Sequence, residues 1–256
     1  MEITGTDIAR WAGSLMWPFI RIGSFLLVAP IFGAPSITRR VRIMLALMMA
    51  LLILPVLPQA PAVAPFSPGG LLITGQQVLL GVAMGLVFQL AFATVVIAGQ
   101  NIAMTMGLGF ASAIDPQNGI QVPVVSQFYL ILATLLFLSL DGHLLLLEML
   151  RESFLLFPVG TSWPLELPWT LIMWGSTMFA SGLLMALPAL GALLLINLSF
   201  GVMTRAAPQL NIFVVGFPIS LIAGFLLIYF TLPAFFSQMS QLFDQAFSLV
   251  RAALSP

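Results

Sequence analysis

The sequence predicts an all-α integral membrane protein with about six long, proline-kinked hydrophobic helices arranged as hairpins. Only 16 of its 256 residues are charged, eight Arg and eight Asp or Glu, where a soluble domain of this length carries roughly 64. Hydrophobic residues make up 61% of the chain. A soluble globule keeps charged groups over most of its surface, so this composition excludes an ordinary cytosolic enzyme. The uncharged stretches together cover 173 residues; they are 43–114, 116–140, 167–204 and 206–243.

Composition also limits the chemistry. The chain has no Cys, one His, no Lys and zero net charge, which excludes a disulfide framework, a thiol nucleophile and a basic nucleic-acid surface. It has no glycine-rich phosphate loop with Lys and no cluster of metal ligands. We therefore expect a non-enzymatic protein without cofactor or metal. Glu2 and Asp7 precede Arg10, unlike the basic leader of a signal peptide, so the first apolar segment is expected to stay as a span.

Six apolar runs are long enough to approach the ~30 Å of a bilayer's hydrocarbon core. They lack the alternation of a membrane barrel, and an open sheet cannot satisfy its edge groups in lipid, so all six are predicted to be helices. Prolines within or at the ends of these runs indicate either simple kinks or broken helices that line a polar path. The runs are 14–35, 41–58, 71–98, 124–147, 169–199 and 212–236, and the prolines are Pro18, Pro30, Pro188, Pro218 and Pro233.

Two runs carry stripes of small or polar residues four apart. Helix faces of this kind approach a neighbouring helix closely, either within the same chain or on another subunit. We expect subunit packing at these positions and leave the intramolecular alternative open. The stripes are Gly81, Gly85, Gln89 and Ala93, and Gly216, Ser220 and Gly224.

The tail at 237–256 differs from the six runs. Phe243, Phe247, Val250 and Leu254 mark one helical face and polar residues mark the other, which predicts an amphipathic helix lying on the membrane or docked on a partner. Toward the other end of the chain, the arginines at 39, 40 and 42 are the strongest positive-inside signal and favour a cytoplasmic position for that loop.

The fourth apolar run is interrupted by Asp141, Gly142 and His143. Ionisable groups inside a membrane are candidates for function, and an Asp and His two residues apart could form a proton relay. The alternative is an Asp hydrogen-bonded at a helix kink that Gly142 permits. We favour the second interpretation, because two groups do not make a pathway.

The most informative segment is 99–123. It is too polar and glycine-rich to span a membrane, yet too apolar to lie simply in water, and irregular backbone of this kind is tolerated at membrane depth only when buried in protein or lining a cavity. It predicts a re-entrant, plug-like loop or, alternatively, an interfacial loop folded onto the bundle. The predicted plug residues are Met106, Gly107, Leu108, Gly109, Phe110, Ala111, Asp115, Pro116, Gln117, Asn118 and Gly119.

Several motifs resemble one family of membrane proteins. The run Met-Gly-Leu-Gly-Phe-Ala-Ser from Met106, the run Asp-Pro-Gln-Asn-Gly from Asp115, and the Gly-His pair at Gly142 are similar to those of the FliR family of flagellar biosynthesis proteins. The opening run from Arg21 to Gly33, with the arginines that follow it, is similar to that family's first segment. The resemblance covers essentially the whole chain. Asp141 departs from it, because a neutral polar residue is expected before Gly-His.

The resemblance implies a core subunit of the flagellar type III export gate, in the bacterial inner membrane at the flagellar basal body. It implies assembly with FliP and FliQ, joined by FlhB and FlhA, around a pore for unfolded proteins. The mid-chain loop would plug that pore, with Phe110 and its glycine neighbours the residues best suited to occlude it. The last two spans would pack like FliQ, which makes Arg205 a candidate contact for FlhB.

Two other classes of function stay open at this point. One is a proton-coupled transporter of small solutes that uses Asp141 and His143 with proline-broken helices. The other is a membrane scaffold whose loop folds onto its own surface.

Overall fold

The computed structural model describes residues 5–58, 60–108, 123–161, 167–206 and 212–254. Regular secondary structure in these ranges is entirely helical, which confirms the all-α class. A single 3-10 turn, Leu54–Val56, follows the second helix. The α-helices in chain order are α1 Gly5–Val28, α2 Arg39–Ile53, α3 Pro68–Thr105, α4 Val124–Ser139, α5 Gly142–Leu156, α6 Leu167–Ala206 and α7 Ile212–Leu254.

The predicted count of six spans needs correction. Three described helices, α3, α6 and α7, are long and apolar enough to cross a membrane, and the bent pair α4 and α5 would make a fourth as one broken span. The predicted segment 14–35 ends as a helix at Val28, because Pro30 follows and Ile31 takes a left-handed φ of 69°. The 15 residues of α2 rise only about 22 Å, less than the hydrocarbon core.

The other predicted boundaries also shift. Segments 71–98 and 169–199 are longer than expected, since α3 runs over Pro68–Thr105 and α6 over Leu167–Ala206. Residues 99–105, assigned above to the irregular loop, are therefore the last turns of α3. Segment 124–147 is two helices separated at Asp141. The segment 212–236 and the tail form one continuous helix, so no separate tail helix begins at 237.

Four of the five prolines lie inside helices. Pro18 is in α1, Pro188 in α6, and Pro218 and Pro233 in α7, while Pro30 lies in the turns after α1. Each removes one backbone donor from its helix. The helices are assigned continuously through all four positions.

The chain folds into two compact units. The first contains Met1–Leu90, Leu140–Trp174 and Phe243–Pro256. Its core is formed by apolar side chains of α1, the first part of α3, α5 and the end of α7. Fully or almost fully buried members include Trp17, Phe25, Leu80, Phe88, Leu146, Leu150, Phe154, Phe243 and Val250.

The C-terminal part of α7 packs on this core and not on a bilayer surface. Phe243, Val250 and Leu254 are buried, and the Phe247 ring lies 4.6 Å from that of Phe88 on α3, centroid to centroid. The prediction of an amphipathic face in the tail is confirmed. Its expected position on the membrane or on a partner was wrong, because the chain's own first unit covers that face.

The second unit contains Ala91–Ser139 and Gly175–Leu242. Its core joins the second part of α3, α4 and the middle parts of α6 and α7. In this unit the Phe92 ring packs edge-on against Phe137, and Tyr129 lies against Phe235. The most apolar window of α3 is 61% buried, but those of α6 and α7 are only 22% buried. The two C-terminal helices therefore expose long apolar faces to lipid or to other proteins.

Candidate functional site

The C-terminal end of α3 is where the predicted plug begins. Gly107 has a φ of 86°, the left-handed conformation that glycine adopts without steric cost. Its backbone N–H donates to the Met104 carbonyl at 3.1 Å, and the Leu108 N–H donates to the Ala103 carbonyl at 3.0 Å. This pair of hydrogen bonds is a Schellman motif. The helix thus ends at a defined residue, immediately before the plug-like sequence.

Met106 anchors this end of α3 to α7. Its side chain is completely buried. A Cβ on Gly224 would lie 2.5 to 2.6 Å from three atoms of the Met106 side chain, so only glycine leaves room for this contact. The Phe217 ring, also on α7, covers Gly107. Met106 therefore belongs to the base of the predicted plug and is packed in the protein.

A polar bridge reinforces the same anchor. Asn197 on α6 donates from its side-chain amide to the Thr105 carbonyl at 3.2 Å, and its side-chain oxygen accepts from the Ser220 hydroxyl of α7 at 3.1 Å. The Thr105 carbonyl is one of the last carbonyls of α3, which lack partners within the helix. Asn197 thus ties α3, α6 and α7 together at the base of the predicted plug.

Most of the predicted plug lies outside the described residues. Met106, Gly107 and Leu108 are placed as above. The remaining plug positions, namely Gly109, Phe110, Ala111, Asp115, Pro116, Gln117, Asn118 and Gly119, are not described.

The predicted small-residue stripes make close contacts inside the chain. Gly81 and Gly85 lie against the backbone of α1, and Gly224 lies against Met106. Ser220 is bonded to Asn197, Gly216 is buried and Gln89 is exposed. At Gly81, Gly85, Ser220 and Gly224 the structure thus shows the intramolecular alternative. Subunit packing at these four positions finds no support in it.

Sequence reasoning missed Arg21, which is 0% exposed in the middle of α1. Its Nε donates to the Gln77 side-chain oxygen of α3 at 2.7 Å. Its two terminal nitrogens donate to the Ser153 carbonyl at 2.9 Å and to the Phe157 carbonyl at 3.0 Å. The guanidinium also lies 4.2 Å from the centroid of the Phe154 ring.

The end of α5 compensates the buried charge of Arg21. No carboxylate among the described residues pairs with this guanidinium. Ser153 and Phe157 lie in the last turn and at the C-cap of α5, where the helix dipole is negative and carbonyls lack helical partners. Arg21 thus caps α5 from another helix and joins α1, α3 and α5. The available signal was a lone charge inside an apolar run.

Asp141 and His143 do not form the proposed relay. Asp141 is exposed, has a φ of 54°, and forms the N-terminal boundary of α5. Its backbone carbonyl accepts from the N–H groups of Leu144 and Leu145. His143 Nδ1 is buried without a hydrogen-bond partner in the described part of the chain. The pair therefore marks a helix break.

Two further charged positions lie toward helix ends. Arg205 is exposed in the last turn of α6, where a cation interacts favourably with the helix dipole. Glu152 of α5 pairs with Arg251 of α7 at 3.0 Å. Groups of three or more potential metal ligands are absent from the described ranges.

Comparison with known proteins agrees with this arrangement. Residues 12–246 match the family model of bacterial export proteins, family 1. The chain is 40% identical to the flagellar biosynthetic protein FliR of Pectobacterium carotovorum subsp. carotovorum, over 97% of this chain and 95% of that protein. It is 37% identical to that of Escherichia coli K12, over 100% and 98% of the two chains. The identity to that of Bacillus subtilis 168 is 30%, over 93% of each. The chain therefore belongs to family 1 of the bacterial export proteins, the family of the flagellar biosynthetic proteins FliR.

Proposed function

We propose that this chain is a structural, pore-forming subunit of the flagellar type III protein export gate in the bacterial inner membrane. It assembles with FliP and FliQ at the flagellar basal body, adjoins FlhB and FlhA, and conducts unfolded flagellar proteins. It is a component of an export apparatus and not an enzyme. The observation that carries the proposal is full-length similarity to flagellar biosynthetic proteins in a chain with long, apolar and exposed C-terminal helices.

The plug-like loop closes the channel in this proposal. A path wide enough for an unfolded polypeptide leaks ions unless it is sealed at rest, and an apolar constriction seals by excluding water. A sealing loop needs a firm base. The Schellman turn at Gly107, the buried Met106 and the Asn197 bridge support such a base, because they fix where the chain leaves α3.

The exposed end of α6 provides a site for a further partner. Arg205 is exposed and follows a stretch without any charge from residue 167 onward. We assign it as a contact for FlhB. A cation at this helix end remains available to an acidic group on a neighbouring protein.

Replacing residues 109–119 with a Gly–Ser linker of equal length is expected to raise the resting ion conductance of the assembled gate several-fold. The replacement keeps Gly107 and Leu108, so α3 retains its C-terminal hydrogen bonds, and only the apolar seal is lost. Conductance is measured in membranes that contain the assembled gate.

The matched control for this replacement is Phe66→Ser. It removes an apolar side chain that is 89% exposed in a different loop and should leave conductance unchanged. A linker variant that assembles and is as tight as the unmodified gate would refute the plug.

A further inference from the structure

Helix α2 has an exposed apolar surface that the proposed function does not use. Its 15 residues are too few to cross a bilayer. Met44, Met48 and Leu52 are nevertheless 69%, 58% and 71% exposed. A short helix with this exposure in a membrane protein needs an apolar neighbour at one depth only.

One stripe of α2 begins with a cation and continues as an apolar track. Arg40, Met44, Leu47 and Leu51 are spaced four, three and four residues apart, which places them on one helix face. The rise from Arg40 to Leu51 is about 16 Å. That length is close to the ~15 Å of one leaflet's hydrocarbon, half of the ~30 Å core.

The track leads into a groove of about 650 Å³ within the first compact unit. Its walls are Leu15, Pro18 and Phe19 of α1, Leu47 and Leu51 of α2, and Phe154 of α5, with almost no polar surface. The groove therefore suits an acyl chain better than a polar ligand.

The charged end of the track is available to an anion. Arg42 is already committed, because it donates to the carbonyls of Phe32, Ala34 and Ile37. Arg39 and Arg40 are exposed, and no carboxylate in the described ranges pairs with either of them. Two adjacent exposed arginines match a phosphate in charge and in hydrogen-bond donors.

We propose that α2 binds one anionic phospholipid, with its phosphate on Arg39 and Arg40 and an acyl chain along Met44 and Leu47 into the groove at Leu51. Charge complementarity at one end and an apolar groove at the other, one leaflet apart, select a lipid over a peptide. The site depends on the first unit alone and is independent of the proposed role in export.

The test is native mass spectrometry of the full chain released from detergent. Phosphatidylglycerol and phosphatidylcholine with identical acyl chains are titrated separately. We expect one retained phosphatidylglycerol and weaker retention of phosphatidylcholine. Each of Arg39→Gln and Arg40→Gln should weaken phosphatidylglycerol binding about fivefold, as expected for one basic residue at an anionic surface. Arg205→Gln, at an exposed arginine of α6, is the matched control and should change nothing.

A second variant tests the groove without altering charge. Leu51→Trp fills the track from a position that is 51% exposed, so it should fold normally and still lose the retained lipid. Equal binding of the two lipids would overturn the proposal. So would retention that depends on the arginines but not on Leu51, or a dimer of this chain that Leu51→Trp abolishes, since these results indicate a simple surface charge or a second copy as the occupant.

Discussion

Replacing Arg21 by methionine is expected to lower the free energy of unfolding by about 3 kcal/mol. The substitution keeps the apolar stem but removes every donor of the guanidinium. The Gln77 side-chain oxygen and the Phe157 carbonyl, both bonded to Arg21, would then be left without this partner in a buried site. Leaving a buried acceptor unsatisfied costs about 1–3 kcal/mol. The measurement is unfolding by SDS in detergent micelles, followed by tryptophan fluorescence.

Arg42→Met is the matched control for this prediction. Arg42 also binds backbone carbonyls, but it is partly exposed, and water can replace its hydrogen bonds, so the loss should be about 1 kcal/mol or less. Arg21→Lys should be intermediate, because an ammonium retains the charge but cannot reproduce the planar fork. If Arg21→Met were as stable as the unmodified protein, the guanidinium would contribute no net stability.

Gly81→Ala is expected to destabilise the protein by about 2 kcal/mol. A Cβ at Gly81 would overlap the Arg21 carbonyl oxygen and lie 2.9 Å from the Phe25 backbone nitrogen. Backbone atoms cannot rotate away as a side chain does, so α1 and α3 would have to separate. The same SDS unfolding experiment measures the loss.

Gly75→Ala on the same helix is the matched control. A Cβ there meets nothing within 4 Å, so the change should be neutral or stabilising by up to about 1 kcal/mol, from helix propensity alone. The two alanines are therefore expected to act in opposite directions. Equal effects would mean that close α1–α3 contact at Gly81 does not contribute to stability.

The hydrophobic pattern predicted where helices lie but not how long they are. Residues 99–105 contain Gly99, Gln100 and Asn101, which favour an irregular segment locally. They are helical because Gly99 permits a close approach to α4, where Ser126 donates from its hydroxyl to the Val96 carbonyl. Tertiary packing thus overrides a weak local preference.

The buried polar contacts could not be paired from one sequence. Arg21 stands out as a lone charge in an apolar run, but its partners are 56 and 132 or more residues away in the chain. Similarly, Asn197 gives no local sign that it bridges Thr105 and Ser220. Such pairs depend on which helices become neighbours, and hydrophobicity alone does not specify neighbours.

The amphipathic tail shows the opposite limit. Its two faces were evident from residue spacing, but the same pattern suits a membrane surface, a partner or the chain's own core. The Phe247–Phe88 contact and the buried Phe243 and Val250 assign it to the core. The motifs around Met106 were more informative, because several occur together over the whole chain.

The central claim is that this chain is an export gate subunit, and co-purification tests it most directly. The chain is expressed with FliP and FliQ, each separately tagged, and extracted in mild detergent. We expect all three proteins in one stable complex on size exclusion, with the exposed apolar faces of α6 and α7 covered. Recovery of the chain only as a lone monodisperse species, with FliP and FliQ well expressed, would contradict the claim.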